Sequence, residues 1–302
     1  MRPEEWLEML SNFITANHIL SHHGLLDGFG HISLRNPENP DTFFSTGFMP
    51  PALMRDEEDI GVFTVDTATP VSGSTRGFNS PYSERYIHSE IFKMFPDVQS
   101  VVHSHSKPVV AQANIGGSMR PIWHMAGFLG ENVPVFDPHD IYGEGDKQNL
   151  LITNHRLGEA LASMFADPAS GLSGRNTLPD RTVVLQRGHG FVTWGTSLRQ
   201  AVYRAVYTQE NAQIQQQSEN LAQLQGGGEV IYLHDLEVGH AKEMNDGAIV
   251  KAWPFWEAQV QADPLYNNNL AVKLSTWRRL SGHSATNGQY IDSFTQHLKS
   301  YP

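Results

Sequence analysis

Apolar residues recur every three to four positions over 3–26, and Gly28 and Gly30 close the pattern, which predicts an N-terminal helix. Three short segments rich in β-branched and aromatic residues follow: "HISLR", "TFFST" and "IGVFTVD". Asn, Pro, Gly and Asp separate them, so they read as strands joined by turns. "SERYIHSEIFKMF" (83–95) returns to helical spacing with Ser83 as its N-cap, and Pro96-Asp97 break it. "VQSVVHSHS" is a β-branched strand, "VPVFD" and "NLLIT" predict two more, and a helix is expected over 158–165. "DPASGLSGRNTLPD" (167–180) has the composition of a surface loop. "RTVVLQRGHGFVTWG" predicts a hairpin turning at Gly188-His189-Gly190, and a long helix over 197–225 runs up to Gly226-Gly227-Gly228.

Beyond that helix the patterning weakens. "VKAWPFWEAQVQ" is aromatic, and Trp253, Phe255 and Trp256 suit either a subunit contact or the packing of a C-terminal segment on its own chain. The chain divides into a main domain over 1–262 and a C-terminal arm over 263–302. Strands outnumber helices between 30 and 195, which predicts a layered α/β protein with a mixed or antiparallel sheet.

Composition narrows the function classes. The 302 residues carry a net charge of −11 with no basic run, so a nucleic-acid partner is not expected. No apolar stretch approaches the ~20 residues of a membrane-spanning helix. The acidic start "MRPEEWLEML" is unlike a secretory signal, so a cytoplasmic location is expected. Cysteine is absent, which leaves histidine and carboxylate side chains as the strong metal ligands.

The histidines carry the candidate chemistry. Residues i and i+2 of a strand face one side, about 6.5–7 Å apart. His103 and His105 in "VVHSHS" therefore present two imidazoles to the same place. A divalent ion held by imidazole at about 2.0–2.1 Å is one reason for this; hydrogen-bonded core or surface histidines are the other. His189 sits between glycines, where missing side chains allow close backbone approach, though a tight turn alone also tolerates histidine. Glu84 starts the helix that feeds the His103 strand, and an acidic residue there also simply complements the helix dipole. Three histidines and a carboxylate make the donor set of an open, catalytic metal site.

Three motifs together resemble the class II aldolase/adducin family: "FPDVQSVVHSHS", "PYSERYIHSEIF" and "RGHGFVTWGTSLRQAVYRAVY". The resemblance spans about 5–260 and implies a three-layer α/β/α fold, with a central mixed, largely antiparallel sheet and a catalytic domain over 1–262. It implies that His103, His105 and His189 hold one divalent metal ion, zinc or manganese first, with magnesium, cobalt or iron as alternatives. It also implies that Glu84 is the catalytic acid/base and that the chain is a homo-oligomer, a tetramer in the family.

Sugar-phosphate members resemble one another at a "GN-(I/V)-S" turn, a "TG" pair and a "Ser-Ser-Glu" triplet; this chain has "GHIS", Thr46-Gly47 and "PYSE". His31 and Tyr82 thus add bulk where small donors wrap a phosphate. A pocket that still binds phosphate through backbone N–H groups is the other reading. The wording is similar to a non-phosphorylated branch, the decarboxylases of hydroxylated aromatic and heteroaromatic acids. The resemblance therefore implies a metal-dependent carbon–carbon lyase that decarboxylates a small hydroxylated aromatic or related hydroxy or keto acid. Glu84 and His31 are the catalytic candidates, with Thr46, Gly47, Tyr82, Ser83 and His124 about the substrate. Arg35, Arg85 and Lys107 are either positive charges for an anion or ordinary surface charges. Two alternatives stand: an aldolase or dehydratase of a sugar (phosphate) derivative, and a catalytically silent, adducin-like binding module.

Overall fold

Successive strand residues point to opposite faces, and here the two sets of side chains enter two separate cores. The computed structural model describes residues 1–47, 49–71, 82–116, 119–167 and 177–281. Its seven strands are β1 (His31–Arg35), β2 (Thr42–Thr46), β3 (Ile60–Thr64), β4 (Ser100–Ser104), β5 (Val135–Phe136), β6 (Val183–Gln186) and β7 (Gly190–Gly195). They form one sheet in the order β3-β2-β1-β4-β7-β6-β5, antiparallel throughout except for the parallel pair β5 and β6.

Ile32, Phe44, Val102 and Phe191 face the larger core. That core is closed by α1 (Pro3–His22), α3 (Lys107–Asn114), α5 (Leu198–Leu224), α6 (Asp235–Ala262) and α7 (Asn269–Ser281). Phe43, Phe63, Val101 and Val192, each one residue out of step with the first set, face the smaller core under α2 (Arg85–Met94) and α4 (His155–Ser163). The three-layer α/β/α arrangement with a mixed, largely antiparallel sheet follows. No described helix is long and apolar enough to cross a membrane.

Some elements depart from the sequence pattern, each for a local reason. The N-terminal helix stops at His22, where Gly24 takes φ +69° and the chain turns back to β1. Helix α4 begins at His155, three residues before the apolar spacing suggests, because Asn154 caps it by accepting the Leu157 N–H at 3.0 Å. "NLLIT" forms no strand: Leu150 has φ +67°, and its neighbours' main-chain groups bond to side chains instead of a ladder. The loop predicted over 167–180 lies mostly outside the described residues.

The largest surprise is α6, 28 residues long with Pro254 inside it. Its buried positions, Val238, Ala241, Asn245, Trp253, Trp256 and Val260, keep the three- and four-residue spacing of one helix face. Trp253 lies beneath the Arg199 guanidinium and Trp256 packs on His23 and Tyr207. These two indoles therefore serve the chain's own core, and Phe255 alone of the three is exposed. Helix α7 docks on α1 through Arg278 to Glu4 and Glu8, and Asn268, just before the helix, bonds to Ser11 and Thr15.

Candidate active site

The middle of the sheet and the start of α2 bring four side chains that could ligate a metal to one point. His103 shares the face of Val101 in β4 and is fully buried. The strand ends at Ser104, so His105 lies just past it, yet its ring still turns to the same point: the two Nε2 atoms are 3.1 Å apart. His189 stands at the β6–β7 turn with its Nε2 3.2 Å from that of His105. Gly190 makes this close approach available. A Cβ there would lie 1.9 Å from the Ser104 carbonyl oxygen, so no other residue fits without moving the hairpin. Glu84, rather than Ser83, occupies the N-cap position of α2, but its side chain does not cap the helix. Its Oε1 accepts the Ile152 N–H at 3.0 Å, and its Oε2 points at the histidines, 3.4 Å from His189 Nε2 and 3.6 Å from His103 Nε2.

The second nitrogen of each ring decides what the first can do. His103 Nδ1 faces the Phe191 carbonyl at 3.2 Å, and His189 Nδ1 faces the Leu150 carbonyl at 3.0 Å. His105 Nδ1 faces Asp27 Oδ2 at 3.4 Å. Carbonyl and carboxylate oxygens only accept, so each Nδ1 carries the proton and each Nε2 turns a lone pair to the common centre. Imidazoles bound at about 2.0–2.1 Å to one ion place their nitrogens about 3.0–3.4 Å apart. The observed 3.1 and 3.2 Å separations match, and all four ligating atoms lie within 4.8 Å of one another. The residues present therefore fit a divalent metal ion. Burial, reinforced by the neighbouring histidines, holds His103 well below the usual imidazole range. Burial pulls His189 down, but the Glu84 carboxylate beside its Nε2 outweighs this and raises that group.

A cavity of about 330 Å³ opens from the cluster. Buried His31 and Glu84, half-buried Tyr82 and exposed Ser83 line it, and Phe29 and Leu151 add apolar surface. Asp27 joins this surface to His105. Its Oδ1 accepts the N–H groups of Phe29 and Gly30, at 2.8 and 3.0 Å, while Oδ2 takes His105. His31 pairs with buried His88, and burial pushes the His88 imidazole down to about 3, so it is neutral. Burial first, and nearby His88 second, keep His31 neutral as well, not cationic. Tyr82 Oη meets Ser45 Oγ at 2.9 Å, and burial raises its phenol above the ordinary range.

Thr46 and Gly47 sit at the end of β2, where the Gly47 N–H donates to the Asp59 carbonyl; neither lines the described cavity wall. His124 lies on a short 3-10 turn against α6, with its carbonyl accepting from Asn245, away from this cavity. Arg35 is a structural residue: its guanidinium donates to the carbonyls of Val98, Pro40 and Phe92 and closes the end of α2. Arg85 donates to the Ala68 and Tyr82 carbonyls. Sequence reasoning passed over Asp27, Ser33, His88 and the main chain of Leu150 and Ile152. Only Asp27 carries a legible local signal, the D-x-x-G turn in "DGFG".

Comparison with known proteins agrees with this geometry. Residues 11–216 match the family described as Class II Aldolase and Adducin N-terminal domain. The chain is 41% identical over 261 residues to the decarboxylase tropJ of Talaromyces stipitatus, covering 85% of this chain and 95% of that protein. It is 32% identical over 198 residues to the 3,4-dihydroxyphthalate decarboxylase of Arthrobacter keyseri, covering 63% and 71% of the two chains. Among solved structures, the L-fuculose 1-phosphate aldolase from Glaciozyma antarctica PI12 superposes with a TM-score of 0.64. That match has 18% identity and covers 85% of this chain and 90% of that one, a likeness of fold alone. The chain belongs to the class II aldolase and adducin family.

Proposed function

We propose that this lyase is a divalent-metal-dependent decarboxylase of a hydroxylated aromatic acid, acting at the cluster of Glu84, His103, His105 and His189. The observation that carries the reading is that each Nδ1 faces an acceptor oxygen, so that three Nε2 lone pairs meet at a single point beside an open cavity with Glu84 Oε2 next to it. The names of the relatives, decarboxylases of which one acts on dihydroxyphthalate, supply the reaction class.

When bound, the ion supplies Lewis acidity that draws electron density onto a substrate oxygen. The protein's own groups do the rest. His103, His105 and His189 hold the ion. His31 and Tyr82 fill the space that small phosphate-binding side chains leave open in sugar-phosphate members, and Phe29 and Leu151 offer apolar surface to a flat ring. Glu84, anchored through Oε1 by the Ile152 N–H, takes the proton of the substrate's ortho-hydroxyl at Oε2 and delivers it to the ring carbon that bears the carboxylate. The carbon–carboxylate bond then breaks, carbon dioxide leaves, and the electron pair passes through the ring to the ortho oxygen.

Zinc or manganese suits three neutral imidazole donors better than magnesium, which prefers oxygen. Leu224, Ile231 and Leu236, 83%, 79% and 78% exposed, support a homo-oligomer, the tetramer of the family reading, closed over the ends of α5 and α6.

The test offers the metal-loaded protein a panel of ortho-hydroxyaryl carboxylates and a panel of ketose phosphates. Carbon dioxide release from the first panel is expected, with neither cleavage nor competitive inhibition from the second. Efficient aldol cleavage of a ketose phosphate without carbon dioxide release from any hydroxyaryl acid would overturn the reading.

A further inference from the structure

Behind the cavity wall three side chains form a buried row. Ser33 Oγ lies 2.6 Å from His88 Nδ1, and His88 Nε2 lies 2.6 Å from His31 Nδ1. Ser33 and His88 are fully buried and His31 nearly so. The row follows from the fold. His31 and Ser33 share the face of β1 opposite Ile32, and α2 lays His88 across that face. His31 lines the cavity, and its Nε2 is buried with no hydrogen-bond partner among the described residues.

A neutral imidazole carries one proton, so the row has two self-consistent orders. In the first, the Ser33 hydroxyl donates to His88 Nδ1 and His88 Nε2–H donates to His31 Nδ1. His31 then keeps its proton on Nε2. In the second, both bonds reverse. His88 donates to Ser33 Oγ, and His31 turns a lone pair to the cavity.

The two orders differ at the far end. His88 is the one partner of the Ser33 hydroxyl among the described residues, so in the second order the hydroxyl proton has no acceptor. An unpaired buried donor biases an equilibrium by about five- to a hundredfold. At the near end His31 Nε2–H is itself an unpaired buried donor in the first order, so the empty site favours neither; an acceptor oxygen against Nε2 pairs that donor and leaves the first order alone with no donor unpaired.

We propose that Ser33 and His88 are positioning residues that hold His31 as an Nε2–H donor to an acceptor oxygen bound in the cavity. The site thereby selects a substrate that places an oxygen acceptor, carboxylate or phenolate, against His31; this substrate class rests on the lyase reading above. A ligand offering only a hydroxyl donor at that point meets N–H against O–H and is disfavoured.

Neutron diffraction from D₂O-exchanged crystals of the zinc-loaded protein with salicylate bound reads the proton order directly. Deuterium is expected on Nε2 of both His31 and His88. Deuterium on His31 Nδ1, alone or with Nε2, would overturn the proposal. In solution, salicylate binding to zinc-loaded protein separates the donor role from packing. His88→Leu should weaken binding about ten- to a hundredfold at unchanged zinc content. His88→Gln, whose amide N–H reaches the same His31 nitrogen, should stay within about threefold of wild type. Wild-type affinity in His88→Leu, or equal loss in both variants, would show that packing alone is at work and overturn the proposal. Should His88→Leu fail to fold, the neutron result on the wild type decides. The expected deuterium positions, together with no carbon dioxide release from any hydroxyaryl acid, would leave the proton order standing and remove the decarboxylase reading.

Discussion

Replacing Glu84 by Gln is expected to leave the metal content of the protein unchanged and to cut turnover by about a hundredfold or more. The geometry separates the two roles. In the proposed site three imidazoles hold the ion without Glu84, and the Gln amide oxygen still accepts the Ile152 N–H that fixes the side chain. What the amide cannot do is carry a proton at the position of Oε2, which faces His103 and His189 at 3.6 and 3.4 Å. Elemental analysis and steady-state turnover on the same preparation check both halves. A Glu84→Gln enzyme with the wild-type rate would remove Glu84 from the chemistry.

His189→Ala is expected to lose most bound metal and, with it, most activity. Outer-shell partners of ligating histidines are typically worth ten- to a hundredfold in metal affinity, so removing a ligand should cost at least about that much. The hairpin itself has little reason to collapse, since β6 and β7 pair through Val183 to Gly190 and beyond without the imidazole. His103→Ala is a poorer probe because it also opens a void in a fully buried position. Metal measured after gel filtration gives the answer. Full metal and full turnover in His189→Ala would contradict the ligand assignment.

How much of this was legible in the sequence differs by element. The β2, β4 and β7 strands show as β-branched and aromatic runs, because their two faces enter two apolar cores, whereas β1 gives only Ile32 and Leu34 to one core and turns His31, Ser33 and Arg35 the other way. His103 and His105 stand out by spacing, and His189 by the glycines that bracket it, even though the i, i+2 argument holds only in part: His105 has already left the strand. Helix α6 was obscured because its buried face uses Ala241 and Asn245 beside its aromatics, while Leu236, Val250 and Phe255 lie on the exposed side. The apolar content is thus smeared around the helix, and Pro254 argues locally against one.

"NLLIT" misleads for a different reason. Its apolar run imitates a strand, but the Leu150 carbonyl and the Ile152 N–H are spent on His189 and Glu84. Main-chain groups have no letter in a sequence, so a loop whose backbone orients a catalytic site cannot be distinguished there from one that does not. The same holds for Ser33 and His88. They lie 55 residues apart and meet only because α2 crosses β1.

The central claim is that one divalent ion in the three-histidine site turns this chain into a decarboxylase. Titrating metal-free protein with zinc or manganese, while following carbon dioxide release from a hydroxyaryl acid that the wild-type enzyme turns over, tests it most directly. Activity should rise from near zero in proportion to added metal and level off at about one ion per chain, the capacity of a single site with three imidazole ligands. Full carbon dioxide release by the metal-free protein, or a rate that ignores added metal, would contradict the account.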